Sequence, residues 1–198
     1  MQNTPLTGKD FSVMEKIIRE SYPKLDVKDY LTELHRRVPR AFVVARGRDG
    51  VIFGFAVIIP ITSFYADRFI GGGFAGINFA PFPEEAIAPR ELPHQHVILD
   101  GIFVAKKSRG LGTHELMKKI AGLIHERKTS GLPIAKIIAL ADIPTGHQFY
   151  RDCLGMETQM VFGDDVAIYA ANTDDFVAGW FGKNLYDKIA GERAGATR

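Results

Sequence analysis

Cysteine is nearly absent from this sequence. Cys153 is the sole one among 198 residues, so no intramolecular disulfide can form, and the chain suits a reducing compartment. No secretory leader is expected either, because residues 1–10 hold no apolar stretch. No apolar run is long enough to cross a bilayer. The longest, residues 51–61, is interrupted by Gly54 and Pro60 and reads as a buried strand. These absences point to a cytoplasmic chain without membrane contact. Charge of one sign is also missing: 25 Lys and Arg against 23 Asp and Glu give a net charge of +2, and the cations are scattered rather than gathered into a tract for nucleic acid. No Gly-Lys-Ser/Thr occurs, which excludes a P-loop, and the dinucleotide fingerprint lacks its third glycine. His94 and His96 form a His-x-His pair, but no third ligand cluster accompanies them, so no metal is expected.

What the sequence does have is an ordinary globular composition, 46% hydrophobic and 24% charged, in a length that fits one domain with a full core. We read residues 1–198 as a single domain, with a core over about 11–171 and an amphipathic C-terminal helix over about 173–190. Helical periodicity predicts helices over 11–21 and 27–37, ended by Pro23 and Pro39. Two apolar strands follow, 41–46 and 51–60, joined by a hairpin turn at Asp49-Gly50. Residues 62–96 have little periodicity. They hold Gly71-Gly72-Gly73 and the aromatics Phe64, Tyr65, Phe69, Phe74, Phe79 and Phe82. We expect a strand over 74–79 there, inside a long excursion that lines an acceptor pocket, a core or a subunit contact. A central strand over 97–104, a basic glycine turn over 106–112 and a helix over 113–128 come next. A strand over 134–141, a short helix over 145–154 and a hairpin of 156–162 with 166–171 complete the core. The tail, with Trp180 and Phe181, reads as a helix docked on the domain or on a second subunit, which leaves room for a homodimer. Hairpins combined with a strand–helix–strand crossover make the sheet mixed and the class α/β (α+β).

Chemistry concentrates in residues 97–124, where a buried strand runs through a glycine turn into a helix. The first-turn amides of that helix lack intrahelical partners, and its dipole is positive there. Gly110 and Gly112 allow close backbone approach, and Lys106, Lys107 and Arg109 add charge. Together they describe a site for a phosphate or pyrophosphate. The bland alternative is a basic turn with glycines for geometry.

The stretch Ile102-Phe103-Val104-Ala105-Lys106-Lys107-Ser108-Arg109-Gly110-Leu111-Gly112 resembles the acetyl-CoA signature of the GNAT superfamily of acyltransferases, a strand ending in valine followed by Arg/Gln-x-x-Gly-x-Gly/Ala. The upstream hairpin, with Gly54-Phe55 in its second strand, looks like that family's second and third strands. Gln148-Phe149-Tyr150-Arg151-Asp152-Cys153-Leu154-Gly155-Met156 resembles its Phe-Tyr helix. The resemblance spans about residues 11–171. Two registers are open. With Arg109 first, the distance from Val104 fits but His114 stands where a glycine belongs. With Lys107 first, both glycines fit but lysine replaces Arg/Gln.

The resemblance implies a mixed, mostly antiparallel, splayed sheet flanked by helices, and acetyl-CoA as cosubstrate of an N-acetyltransferase acting on an amine of a small molecule, protein or peptide. A longer acyl-CoA, or CoA binding without catalysis, are its alternatives. It implies CoA contacts at Ile102, Phe103, Val104, Lys107, Arg109, Gly110, Leu111, Gly112, Thr113, His114, Thr145 and Phe149. The family's asparagine before the Phe-Tyr helix is missing, and Asp142 or Thr145 is expected to replace it as cap or CoA contact. Tyr150 is implied as the general acid that protonates the departing thiolate. Asp100, a charge in an otherwise apolar strand, is expected either as general base or as a satisfied structural carboxylate. His94 and His96 are further candidates for the base, and Cys153 for a covalent acyl carrier.

Overall fold

The Asp49-Gly50 turn closes the first hairpin of a six-stranded sheet in the computed structural model, which describes residues 6–73, 83–89, 95–163 and 165–181. Two helices precede it, α1 (Gly8–Arg19) and α2 (Lys28–Arg37). Thr7 and Asp10 form a capping box at the start of α1, each side chain bonding the other's backbone N–H. Arg46 reaches Asp10 at 2.6 Å and so fastens α1 to the first strand. That guanidinium lowers the Asp10 carboxyl to about 2.

The strands are β1 (Phe42–Arg46), β2 (Ile52–Ile61), β3 (Gln95–Val104), β4 (Ile134–Ala141), β5 (Glu157–Phe162) and β6 (Val166–Asn172). They lie in the order β1-β2-β3-β4-β6-β5. Every neighbouring pair is antiparallel except β3–β4, which is parallel and is bridged by the long helix α4 (Leu111–Thr129). Burial divides the core by faces. Phe11, Met14, Ile18, Leu31 and Leu34 of α1 and α2 pack on one face of the sheet. Leu116, Met117, Ile120 and Ile124 of α4 pack on the other, with Phe176 and Val177 of α6 (Thr173–Phe181). α6 thus docks on its own domain. No helix among the described residues is long and apolar enough to cross a membrane.

The excursion departs from expectation. Its first part is a helix, α3 (Ser63–Ile70), which buries Ala66 and Phe69. The turn after α3 brings Gly72 against Met160 and Phe162 of β5, so this segment crosses from the end of β2 to the far side of the sheet. Ile87 later bridges back to Ile61. The strand expected over 74–79 lies outside the described residues, as do residues 182–190 of the expected tail helix and His94. The helix expected from residue 113 begins two residues earlier, at Leu111. The short helix expected over 145–154 is two pieces: α5 (Pro144–Gln148) and a π-helical turn, Phe149–Cys153.

Candidate active site

β3 and β4 pair only from Gln95↔Ile134 to Leu99↔Ala139. Beyond that, β3 runs on to Val104 and β4 to Ala141 without bonding each other, and the strands part. A cleft of about 330 Å³ occupies the gap. Its walls are the last residues of β3, the segment 140–146, Ile17 of α1 with Ser21 and Tyr22 just after that helix, and Phe69 of α3.

The central feature is a bulge. Val57 pairs with Gly101 and Ile58 with Leu99, so Asp100 has no partner on β2. The slip reverses the strand's phase: Val97 and Leu99 pack towards α4, and so do Ile102 and Val104 beyond the bulge. Asp100 is left at the cleft, where Tyr30 of α2 donates to its Oδ2 at 2.7 Å. Burial pushes its carboxyl up to about 6, against the opposing pull of the Tyr30 hydroxyl.

Tyr150 lies in the π-helical turn, 6% exposed, and lines the same cleft. Its ring packs near Tyr169 of β6, with centroids 5.8 Å apart. The Tyr169 hydroxyl meets His147 Nδ1 at 3.0 Å, and His147 Nε2 faces the Asp165 carbonyl at 3.0 Å. Burial raises the Tyr150 hydroxyl well above the ordinary phenol range, and the charges of Asp100 and Asp142 raise it further. The phenol is therefore protonated at any working pH.

At the other end, the chain turns into α4 at Gly110, with φ +87° and ψ −98°, a backbone shape that side-chain-bearing residues avoid. The first α4 bond runs from His114 N–H to the Gly110 carbonyl at 3.0 Å. The amides of Leu111, Gly112 and Thr113 therefore precede the helical ladder. Arg109 and Thr113 line the cleft beside them.

Of the residues singled out from sequence, the fold gathers Asp100, Ile102, Phe103, Val104, Arg109, Thr113, Thr145, Phe149 and Tyr150 along this one cleft. Lys107, Gly110 and Leu111 sit on the exposed turn. Gly112 is buried for packing: a Cβ there would lie 3.2 Å from the Phe53 ring and from Ser108, so its smallness serves the helix–sheet contact. His114 turns towards Trp180, with ring centroids 6.5 Å apart. Neither Asp142 nor Thr145 caps α5, whose N-cap is Ile143 with no side-chain bond. Asp142 instead accepts the Tyr22 hydroxyl at 2.8 Å. Ser63 Oγ lies 3.3 Å from His96 Nδ1, and burial followed by the charge of Lys136 lowers that imidazole's pKa. Cys153 is half-buried and does not line the cleft. Among the described residues no three His, Cys, Asp or Glu side chains gather as a metal site. Phe69, one of the aromatics expected to line a pocket, a core or a subunit contact, does line the cleft. Sequence reading missed Tyr22 and Tyr30: nothing local marks them, because each acquires its role only when α2 and the segment after α1 fold over the parted strands.

No family model and no curated protein matches the sequence. Solved structures do. GphF, a GNAT-like decarboxylase in complex with isobutyryl-CoA, superposes with a TM-score of 0.55 at 14% identity, covering 84% of this chain and 96% of that one. A GNAT-family acetyltransferase from Staphylococcus aureus gives 0.53 at 16% identity, covering 85% and 96%. The NatB acetyltransferase complex bound to CoA gives 0.54 at 10%, covering 85% and 97%. At these identities the likeness is one of architecture. With its mixed sheet parted between β3 and β4 and its glycine turn opening α4, the chain has the fold of the GNAT superfamily.

Proposed function

We propose that the chain transfers the acetyl group of acetyl-CoA to a primary amine. The observation that carries this reading is the presence, in one cleft, of a buried protonated phenol and a carboxylate raised to about 6. Acyl transfer to an amine needs that pair of groups: a base for the attacking ammonium and an acid for the leaving thiolate. The residues at the α4 end fit the phosphates of CoA, since the first-turn amides and Arg109 stand at an open turn where a Cβ on Gly110 would meet nothing within 4 Å. The cosubstrate supplies a thioester. Asp100 takes the proton from the amine, directly or through water. Backbone amides of β3 over residues 102–104, free of β4, are the donors for the developing oxyanion. Tyr150 gives its proton to the sulfur. Decarboxylation, the activity printed for one neighbour, would bring a substrate carboxylate beside Asp100 and Asp142, where like charges repel.

Thiol release from acetyl-CoA with an amine panel tests the reading. Tyr150→Phe keeps the ring and removes the proton donor, so kcat should fall by about 10² to 10⁴ while calorimetric affinity for CoA holds. A kcat within about threefold of the parent, below the range of general acid catalysis, would reduce Tyr150 to packing. CoA binding with no turnover in either protein would make the chain a sensor.

A further inference from the structure

Two tyrosine hydroxyls beside the cleft are committed to carboxylates, and one is not. Tyr22 donates to Asp142 at 2.8 Å, and Tyr30 donates to Asp100 Oδ2 at 2.7 Å. Tyr150 bonds neither carboxylate, although the charges of both reach it.

Tyr30 belongs to α2, where Leu31 and Leu34 supply the buried apolar face. Its ring packs against the same core cluster. A phenylalanine would pack there as well. What the tyrosine adds is a hydroxyl, and that hydroxyl meets a carboxylate seventy residues away in sequence. Asp100 is a side chain in need of an anchor. It sits in the bulge without a partner on β2, and it lies past Leu99, the last residue of β3 that pairs with β4. Neither neighbouring strand fixes its backbone, and a bulge is where a strand re-aims a side chain. The Tyr30 hydroxyl takes Oδ2 and leaves Oδ1 as the oxygen without a hydrogen bond among the described residues. A carboxylate left to turn beside the Tyr150 phenol would accept a hydrogen bond from it, tying acid to base.

Building on the acyl-transfer reading, we infer that Tyr30 is the positioning residue for the base: it anchors the Asp100 carboxylate by one oxygen, so that the other meets the attacking amine and Tyr150 keeps its proton for the sulfur. The amine proton passes to Oδ1 as the nitrogen bonds the thioester carbon; the C–S bond breaks, and the thiolate takes the Tyr150 proton. The Tyr30 proton stays in its hydrogen bond throughout. The same bond has an electrical consequence. Burial raises the Asp100 carboxyl to about 6, and the Tyr30 hydroxyl, by bonding the ionised form, pulls it down. The other titratable groups on the cleft are Tyr22, Tyr150, Asp142 and Arg109, and none of them enters that balance.

Tyr30→Phe keeps the ring and removes the anchor. With acetyl-CoA and an amine that the parent accepts, the acid limb of kcat/KM should lie near pH 6 in the parent. In Tyr30→Phe it should lie about one pH unit higher, the size of one hydrogen bond to a charged group. Above both limbs the base is ionised in either protein, yet kcat should stay down by about tenfold in the variant, while calorimetric affinity for CoA holds. Tyr22→Phe unties Asp142 instead and should leave the limb near 6. A packing role would lower the activity of Tyr30→Phe without moving the limb, and that result overturns the inference while leaving acyl transfer intact. If the parent acetylates no amine, the transfer reading fails, and carbon-13 NMR of the aspartate carboxyls decides the rest. The Asp100 signal, assigned by its loss in Asp100→Asn, should then titrate near 6 in the parent and higher in Tyr30→Phe; the same titration in both proteins sinks the role of Tyr30 as well.

Discussion

Asp100 holds a carboxylate where the fold least favours one, and its titration reports on it in two ways. In the unfolded chain the group titrates near its ordinary 3.8; in the fold it does so at about 6. The folded state thus grips the proton more tightly. The stability this contributes is complete below about pH 4 and is lost as pH rises through about 6. That separation corresponds to roughly 3 kcal/mol, or several degrees of Tm for a chain of this size. Asp100→Asn cannot ionise, so it should melt with the parent near pH 4 and several degrees above it at pH 8; equal Tm values at both would show that the carboxylate is well solvated. Catalysis runs the opposite way. A base must be ionised, so kcat/KM should fall on the acid side of about pH 6, and the Asn variant should lose both the activity and that limb. Sequence marked Asp100 because a charge interrupts an apolar strand. It gave no hint of the bulge, which depends on how β2 and β3 slip against each other, nor of Tyr30, seventy residues away.

Among the elements, α4 opens at the turn proposed to hold the CoA phosphates, and its two ends allow a controlled comparison. Gly110 at its start has φ +87° and Gly131 past its end has φ +76°, and a Cβ at either would touch nothing within 4 Å. Alanine at either position therefore costs only backbone strain, about 1–3 kcal/mol. The two substitutions should lower Tm alike, but only Gly110→Ala should weaken CoA binding, measured by calorimetry, because only that turn aims the first-turn amides. Equal CoA affinity in both variants would place the phosphates elsewhere. The glycine turn and the helix after it were plain in the sequence, as were the β1–β2 hairpin and β4. What pattern could not tell was which glycine shapes the turn and which merely lets the helix approach the sheet: Gly110 has the positive φ, whereas Gly112 faces Phe53, which a linear reading does not bring near. α3 escaped for a different reason, since eight residues carry too few turns for a helical period to stand out.

At the scale of the whole molecule, α6 braces the turn that holds Tyr150 from behind. A Cβ on Gly179 would lie 2.3 Å from the Leu154 carbonyl oxygen, backbone against backbone, directly after the π-helical turn that holds Tyr150. Trp180 packs on Phe149 with ring centroids 5.7 Å apart. Gly179→Ala should lift α6, expose Phe176 and Val177, and cost on the order of 3 kcal/mol or more, given about 1.5–3 kcal/mol for each large apolar side chain returned to water. The chain's single tryptophan reports the event directly: its emission should shift to the red together with a fall in Tm. Unchanged emission and Tm would mean that the helix adjusts without leaving its seat.

Past Leu99 the backbone of β3 has a neighbour in β2 and none in β4. Its amides and carbonyls on that side form a sheet edge, but an edge turned inward. On the outside of a protein such an edge invites a neighbouring polypeptide and, with it, aggregation. Here the segment that follows α1 lies at the opening, tied past the end of β4 through Tyr22 and to the start of the glycine turn through Glu20, whose carboxylate accepts the Lys106 N–H at 2.6 Å. On the acyl-CoA reading, the guest in this gap would be a slender chain of amides and methylenes, bonding to the strand as an additional one would. The sheet is in this sense assembled one strand short, and the proposed cosubstrate would take that strand's place.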